Sequence, residues 1–258
     1  MAGMAGRLDG RVAIITGGGH GIGKAYAMRL AAEGARVVIA ELDGVAANAV
    51  AAALTAVGHQ AIAVQTDVAN EASVNNMAQQ TIAQFGRIDV LVNNAAIFAT
   101  VPMSRSPFDQ ITIDEWDRMM SVNVKGTWLA SRAVVPQMRK QAYGKIINVS
   151  SGTALKGSPS RIHYVTSKAG ILGFTKTLAN EVGKDGICVN CVAPGSTLSE
   201  ENPDDDVLKM RAQAANARAL KRVQTPEDLT GAVVFFASAD SDFITGQTLV
   251  VDGGSCMH

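Results

Sequence analysis

Two side chains in the second half of the chain, Tyr164 and Lys168, have the types and the spacing needed to move a proton. They are four residues apart at the start of a predicted helix, so they share one helical face. A phenol has a pKa of about 10, and a neighbouring ammonium group favours its phenolate, a two-unit decrease being worth about 2.7 kcal/mol. Tyr164 could then take a proton from an alcohol or return one to a ketone. Ordinary exposed helices also contain this spacing, so its context decides between the two interpretations.

A glycine-rich turn near the amino terminus indicates a dinucleotide. Residues 16–23 read TGGGHGIG and lie between a predicted strand and a predicted helix. Glycines let backbone N–H groups approach a pyrophosphate closely, and the positive end of the helix stabilises the anion. The second predicted strand ends with Glu41, eighteen residues past Gly23, where a carboxylate can accept both hydroxyls of an adenosine ribose. This carboxylate would repel a 2′-phosphate, which predicts NAD rather than NADP.

Length and composition predict one globular domain. The chain has 258 residues, 47% of them hydrophobic, which is enough for one substantial core. Its 23 basic and 23 acidic residues leave no excess positive charge for a nucleic-acid partner. No apolar run is long enough to cross a membrane and the start lacks the features of a signal peptide, so we expect a cytoplasmic protein. Cys188 and Cys191 occupy a strand-like run that turns them to opposite faces, so we expect no metal site.

The elements that must position these residues alternate regularly. Short β-branched runs alternate with Ala-rich helical stretches, which predicts an α/β fold with one doubly wound sheet of seven parallel strands and helices on both faces. Strands are predicted at residues 12–16, 36–40, 61–65, 90–93, 145–149, 187–192 and 248–251. Residues 1–258 would thus form a single dinucleotide-binding and catalytic domain, with ligand sites at the carboxyl ends of the strands. An irregular, acid-rich segment at 196–222 predicts a mobile lid over the site.

Further motifs identify a family. Ser151 follows a predicted strand thirteen residues before Tyr164, and Asn123 lies in a long predicted helix at 114–140. With these residues the chain resembles the short-chain dehydrogenase/reductase family, in its branch with a single Rossmann domain, from Arg11 to Gly254. The residues that carry the resemblance are the turn at 16–23, Asn93-Asn94-Ala95-Ala96, Asn123, Ser151, Tyr164-Val165-Thr166-Ser167-Lys168, Pro194-Gly195 and Asp252-Gly253-Gly254.

The resemblance implies a role for each catalytic position. Tyr164 would donate or accept the proton, and Lys168 would lower the pKa of Tyr164 and bind the nicotinamide ribose. Ser151 would position the substrate oxygen, and Asn123 would hold a water molecule in a proton relay. The residues expected to bind NAD are Gly17, His20, Gly21, Ile22, Gly23, Glu41, Asp67, Val68, Asn94, Ala95, Tyr164, Lys168, Pro194, Gly195, Ser196 and Thr197. Thr197 and Ser199 are alternative contacts for the nicotinamide carboxamide, and Ala96 replaces the usual glycine of its motif.

The substrate is expected to be hydrophobic. The side chains predicted to face it are Ile97, Thr153, Leu155, His163, Ser196, Leu198, Leu208 and Met210, although His163 is also interpretable as a helix-surface residue. These residues are mostly apolar and the lid is acidic, which favours a neutral secondary alcohol or ketone over a sugar or a polyanion. Within the family, the chain is similar to NAD-dependent secondary-alcohol dehydrogenases, including those that act on aryl alcohols.

The sequence is compatible with two alternative functions. A 3-oxoacyl-[acyl-carrier-protein] reductase of the same family would use NADPH and present basic surface near the site, against which Glu41 and the acidic lid argue. A non-catalytic dinucleotide-binding sensor would lack Tyr164 or Lys168, and this chain has both. The resemblance also implies a homotetramer. One interface would use the helices at 114–140 and 162–183, and another the C-terminal strand, residues 233–236 and the tail at 255–258.

Overall fold

All seven predicted strands are present in the computed structural model, which describes residues 6–98 and 103–257. They are β1 (Val12–Thr16), β2 (Arg36–Glu41), β3 (Ala61–Gln65), β4 (Val90–Asn93), β5 (Gly144–Val149), β6 (Ile187–Pro194) and β7 (Thr248–Val251). They form one parallel sheet in the order β3-β2-β1-β4-β5-β6-β7. From β1 the chain winds outwards through β2 to β3, and from β4 it winds in the other direction through β5 and β6 to β7. A crevice therefore opens at the carboxyl ends of β1 and β4.

Helices cover both faces of the sheet. The α-helices are α1 (Gly21–Ala32), α2 (Gly44–Ala56), α3 (Glu71–Phe85), α4 (Ile113–Met120), α5 (Gly126–Gln141), α6 (Thr153–Lys156), α7 (Ile162–Val182), α8 (Asp205–Asn216) and α9 (Glu227–Ala237). One face is covered by α1, α2 and α9, and the other by α3, α5 and α7. All five residues of β1 are buried, as expected for a strand between two helical layers. No helix in the described part of the chain is long and apolar enough to cross a membrane.

The long helix predicted at 114–140 is interrupted. Between α4 and α5 the backbone forms a π-helical turn at Ser121–Lys125, which contains one more residue per turn than an α-helix. Asn123 lies at the centre of this turn and is buried. The turn joins α4 to α5 without a loop, which is why the sequence pattern predicts one continuous helix.

Two features near the C-terminus concern α9 and the expected second interface. Pro226 is the N-cap of α9, and the Asp228 carboxylate accepts a hydrogen bond from the Thr225 backbone N–H at 3.0 Å. Val233, Val234 and Phe236 are at most 3% exposed. They pack against the sheet, so they are not available to the subunit interface that we expected there. Residue 258 of the predicted tail contact lies outside the described residues.

Candidate active site

A cavity of about 510 Å³ lies at the carboxyl ends of the strands. Every residue predicted to bind NAD lines it, from Gly17 in the glycine-rich turn to Thr197 after β6. Ser151 also lines the cavity. Parallel strands bring their carboxyl ends to one edge of the sheet, which is why residues so distant in sequence meet here.

The glycine-rich turn is shaped for an anion. A Cβ at Gly23 would lie 1.9 Å from the Gly17 carbonyl oxygen, and Gly17 itself has a φ of +64°. The Asn94 side-chain amide donates to the carbonyl oxygens of Thr16 and Gly17 at 3.1 and 3.0 Å, which ties the turn to the end of β4. Because α1 begins at Gly21, its free N–H groups face the cavity, and the cradle fits a pyrophosphate.

The end of the cavity beside β2 is acidic. Glu41 accepts hydrogen bonds from the Gly19 N–H at 3.1 Å and from the Leu42 N–H at 2.8 Å, so its carboxylate is held against the turn. Asp67 lies near it on the cavity wall and accepts from the Ala69 N–H at 2.9 Å. No lysine or arginine of the described residues lines this end, which fits the hydroxyls of a ribose.

Tyr164 and Lys168 face the centre of the cavity. Lys168 Nζ donates to the Val149 carbonyl oxygen at 2.8 Å and lies 5.9 Å from the centroid of the Tyr164 ring. Burial lowers the pKa of Lys168 to about 8. Burial also raises the pKa of Tyr164, while the Ser151 hydroxyl and the charges of Arg161 and Arg211 oppose that increase.

The protonated phenol at this position is suited to donating a proton to a bound oxygen. The guanidinium groups of Arg161 and Arg211 oppose the increase in the pKa of Tyr164, and the expected effect of Lys168 on that pKa stays a prediction. Next to Ser151, the Ser150 hydroxyl donates to the Lys168 backbone carbonyl at 2.7 Å. Ser150 thus holds α7 against the end of β5.

Asn123 does not line the cavity. Its side-chain oxygen accepts from the Ile97 backbone N–H at 2.9 Å, and its amide donates to the Ser167 hydroxyl at 3.0 Å. The side chain is 1% exposed and connects the loop after β4 to α7. In this structure Asn123 positions neighbours of the site, and its part in a water relay stays a prediction.

The two alternatives for the nicotinamide carboxamide lie at different places. Thr197 is buried in the cavity wall, and its hydroxyl donates to the Gly195 carbonyl at 3.2 Å. Ser199 lies against the pyrophosphate turn, since a Cβ at Gly21 would be 2.9 Å from its carbonyl oxygen. Both residues line the cavity, and which of them contacts the carboxamide stays a prediction.

The structure places only four of the eight predicted substrate contacts in the cavity wall. Ile97, Thr153, Ser196 and Met210 line the cavity, but Leu155, His163, Leu198 and Leu208 do not. Leu155 and Leu208 are 39% and 44% exposed and point to solvent.

His163 is not a surface residue, and it does not line the cavity. It is next to Tyr164 on α7, about 100° around the helix, and is 1% exposed, close enough to Glu115 for that charge to act on its pKa. Burial keeps the pKa of His163 low. Leu198 is held away from the cavity by the hydrogen bond of its backbone N–H to the Gln224 carbonyl at 2.9 Å.

The sequence analysis missed a set of basic side chains in the cavity wall. They are Arg105, Arg118, Lys156, Arg161 and Arg211. Arg161 was detectable, because it precedes Tyr164 by three residues and helical spacing places both on one side. Arg211 lies in the predicted lid, of which only acidic and apolar side chains were considered. None of the five acids between residues 200 and 206 lines the cavity.

Comparisons with known proteins identify the family of the chain. The family model described as enoyl-(acyl carrier protein) reductase matches residues 17–256. The chain is 37% identical over 250 residues to the (2S)-[(R)-hydroxy(phenyl)methyl]succinyl-CoA dehydrogenase subunit of Thauera aromatica, covering 96% of this chain and 97% of that one. It is 39% identical over 255 residues to a 3-oxoacyl-[acyl-carrier-protein] reductase of Synechocystis, covering 97% and 98%. A galactitol 2-dehydrogenase of Agrobacterium fabrum is 39% identical over 262 residues, covering 97% and 99%.

Proposed function

Because the chain belongs to the short-chain dehydrogenase/reductase family of oxidoreductases, we propose that it interconverts a secondary alcohol and its ketone with NAD(H). The observation that carries the cofactor choice is the position of Glu41, a carboxylate at the adenosine end of a cavity whose described lining has no cation at that end. A 2′-phosphate about 4 Å from it would be repelled by roughly 1 kcal/mol in water and 4 kcal/mol at an effective dielectric constant of 20.

The residues of this chain have distinct tasks in the proposal. Tyr164 exchanges the proton of the substrate hydroxyl, and Ser151 accepts or donates a hydrogen bond at the same oxygen. Lys168 and Asn123 act next to them, the first on the cofactor ribose and the second through the elements it connects. When bound, NAD(H) supplies the hydride chemistry. The glycine-rich turn, Asp67-Val68, Asn94-Ala95 and Pro194–Thr197 would hold the cofactor.

The carbon skeleton of the substrate is proposed to be hydrophobic. Ile97, Phe98, Val122 and Met210 line the cavity on the side of Tyr164. Phe98 packs on the Tyr164 ring with centroids 5.2 Å apart, so an apolar group beside the reacting carbon would meet an aromatic wall. The name of the Thauera aromatica relative includes a hydroxy(phenyl)methyl group, which supports an aryl carbinol among the substrates.

A second candidate is an NADPH-dependent 3-oxoacyl-[acyl-carrier-protein] reductase. It is favoured by relatives of that name at 35 to 39% identity. The basic side chains of the cavity wall also fit it, since an acidic carrier requires positive charge near the site. The two candidates differ in cofactor, and the position of Glu41 decides our choice between them.

The proposal is tested by initial rates with NAD and with NADP on aliphatic, alicyclic and aryl secondary alcohols. We expect turnover with NAD that falls at least about a hundredfold in Tyr164→Phe, because the proton path is removed. Tyr143→Phe is the matched control, since Tyr143 precedes β5 at the opposite edge of the sheet and stacks on Arg11. Preference for NADP would favour the carrier-protein reductase, and cofactor binding without turnover of any alcohol would favour a sensor.

We also propose that the enzyme is a homotetramer. Ile113 on α4 and Trp128 on α5 are 78% and 47% exposed, and large apolar side chains at such positions favour burial against a partner. Light scattering at micromolar concentration would detect it, and a monomer there would contradict the proposal.

A further inference from the structure

The substrate side of the cavity is strongly basic. Five cations line it, at residues 105, 118, 156, 161 and 211. In the described part of the chain only one of them, Arg211, has a carboxylate within 4.0 Å, that of Glu200. A cluster of five like charges with a single counterion raises the electrostatic free energy of the site, so an anionic ligand would bind there favourably.

Arg161 is the cation nearest in sequence to Tyr164. It is the N-cap residue of α7, one turn before Tyr164, and no side chain caps this helix. Its guanidinium donates to the Ser158 hydroxyl, with Nε at 3.1 Å, and has no carboxylate partner among the described residues. Burial, together with the like charges of Arg105 and Arg211, lowers the pKa of Arg161. An anion bound here would relieve that repulsion.

Arg211 reaches the same region from α8. It is 4% exposed, and Nη1 donates to the Ser196 hydroxyl at 3.0 Å. Nη2 pairs with Glu200, and Nε is buried without a hydrogen-bond partner in the described structure. A buried guanidinium N–H without a partner is unfavourable, so this group is oriented for a further acceptor.

We propose that the substrate carries a carboxylate close to the carbon that is oxidised or reduced, and that Arg161 and Arg211 bind this carboxylate. The inference rests on the proposed function and names its substrate class, an oxo acid or hydroxy acid with an otherwise apolar skeleton. Guanidinium groups bind carboxylates through paired, charge-assisted hydrogen bonds. The expectation of a neutral substrate rested on the apolar side chains predicted to face it and on the acids of the lid, and those acids lie outside the cavity wall.

A distant anion, such as a phosphate of a coenzyme thioester, fits the observations less well. Arg105, Arg118 and Lys156 are exposed, as a contact for a distant phosphate would be. Arg161 lies one helical turn before Tyr164, and Arg211 bonds to Ser196 in the wall of the same cavity. Both arginines are therefore on the side of the reacting oxygen, and their charges act on the Tyr164 phenol. The burial of Arg211 places the anion inside the cavity rather than at its mouth.

The test compares ketones that differ in charge alone. The full chain is first saturated with oxidised NAD or NADP, whichever of the two binds the protein more tightly. Binding of 3-oxobutanoate, 4-oxopentanoate and their amides to this complex is then measured by calorimetry. No hydride is available in that complex, so binding is separated from turnover. We expect at least one acid to bind tenfold or more tightly than its amide. Equal binding of acid and amide, or no binding of either acid at millimolar concentration, would overturn the inference.

Variants assign the preference to the two arginines. Arg161→Gln should bring the acid-to-amide ratio towards one, and Arg161→Lys should retain part of it because the charge remains. Arg139→Gln is the control, since Arg139 lies outside the cavity wall on α5 and pairs with Asp185 at 2.7 Å. A ratio unchanged in Arg161→Gln and Arg211→Gln would contradict the assignment.

Two further measurements distinguish a carboxylate near the reacting carbon from a distant phosphate and from a neutral substrate. If 3-oxobutanoyl-CoA binds more tightly than either acid and Arg161→Gln leaves its affinity unchanged, the exposed cations bind a phosphate and the inference fails. Turnover of neutral alcohols in preference to hydroxy acids would also overturn it while leaving the proposed function intact. Absence of turnover on every substrate with both cofactors would instead refute the proposed function, and the binding ratio would still be measured.

Discussion

Removing the charge of Glu41 should shift the cofactor preference towards NADP. Glu41→Gln keeps the shape of the side chain and removes its charge. Its single amide oxygen can accept from only one of the two N–H groups that now bond to different carboxylate oxygens, that of Gly19 at 3.1 Å and that of Leu42 at 2.8 Å. Glu41 is partly exposed. The repulsion removed is therefore between about 1 kcal/mol, as in water, and about 4 kcal/mol at a dielectric constant of 20. These values correspond to about fivefold and about a thousandfold in affinity.

The assay is the ratio of kcat/KM with NADP to that with NAD, measured with one alcohol. We expect it to rise by a factor within this range, and to rise less at high ionic strength, where screening already weakens the repulsion in the wild type. Asp43→Asn is the matched control. Asp43 lies two residues further and outside the cavity wall, and it caps α2 by accepting from the Val45 N–H at 2.9 Å, which asparagine can also do. An unchanged ratio in Glu41→Gln, or an equal change in Asp43→Asn, would refute the reasoning.

Three further substitutions have defined outcomes. Gly23→Ala places a Cβ 1.9 Å from the Gly17 carbonyl oxygen, so NADH affinity in a fluorescence titration should fall more than about tenfold; unchanged affinity would contradict the cradle. Asp89→Ala removes a fully buried carboxylate that accepts from the Val12 N–H at 2.9 Å and pairs with two arginines, so urea unfolding should show a loss of about 3 kcal/mol. Lys168 has a pKa lowered to about 8, so the unfolded chain binds more protons than the folded one between about pH 8 and the usual lysine value. From pH 8 to 9.5, the free energy of unfolding of the wild type should therefore rise by about 2 kcal/mol more than that of Lys168→Met. Equal pH dependence of the two proteins would exclude a lowered pKa of Lys168.

The sheet and the cofactor half of the site were predictable because their signals are local. A strand buried on both faces is a continuous apolar run, as at Val12–Thr16, and it can be read from five residues. A glycine-rich turn at such a strand requires specific residues at fixed positions, so the spacing itself locates the pyrophosphate cradle. The parallel sheet then brings the other strand ends to the same edge without further information.

The substrate half could not be predicted equally well because side-chain direction there depends on tertiary contacts. His163 and Leu155 have the right types and neighbours in sequence, yet one packs towards α4 and the other points to solvent. Arg211 lines the cavity because α8 packs over the cavity. The position of α8 cannot be predicted from where the helix begins and ends in the sequence. Arg161 is the exception, since its spacing from Tyr164 follows from one turn of helix.

The π-helical turn at Ser121–Lys125 means that the position of Asn123 depends on the number of residues before it as well as on their identity. A π-helical turn contains one extra residue in nearly the same rotation as regular helix, so deleting one residue here would convert the turn to α-helix and leave α4 and α5 close to their present orientation. The side chain of Asn123 would then be turned away from Ile97 and Ser167, which it contacts only because of that extra residue. A single-codon deletion in this stretch should therefore lower activity more than a substitution of an exposed residue of the same stretch, while the sheet and the packing of α4 on α7 are kept.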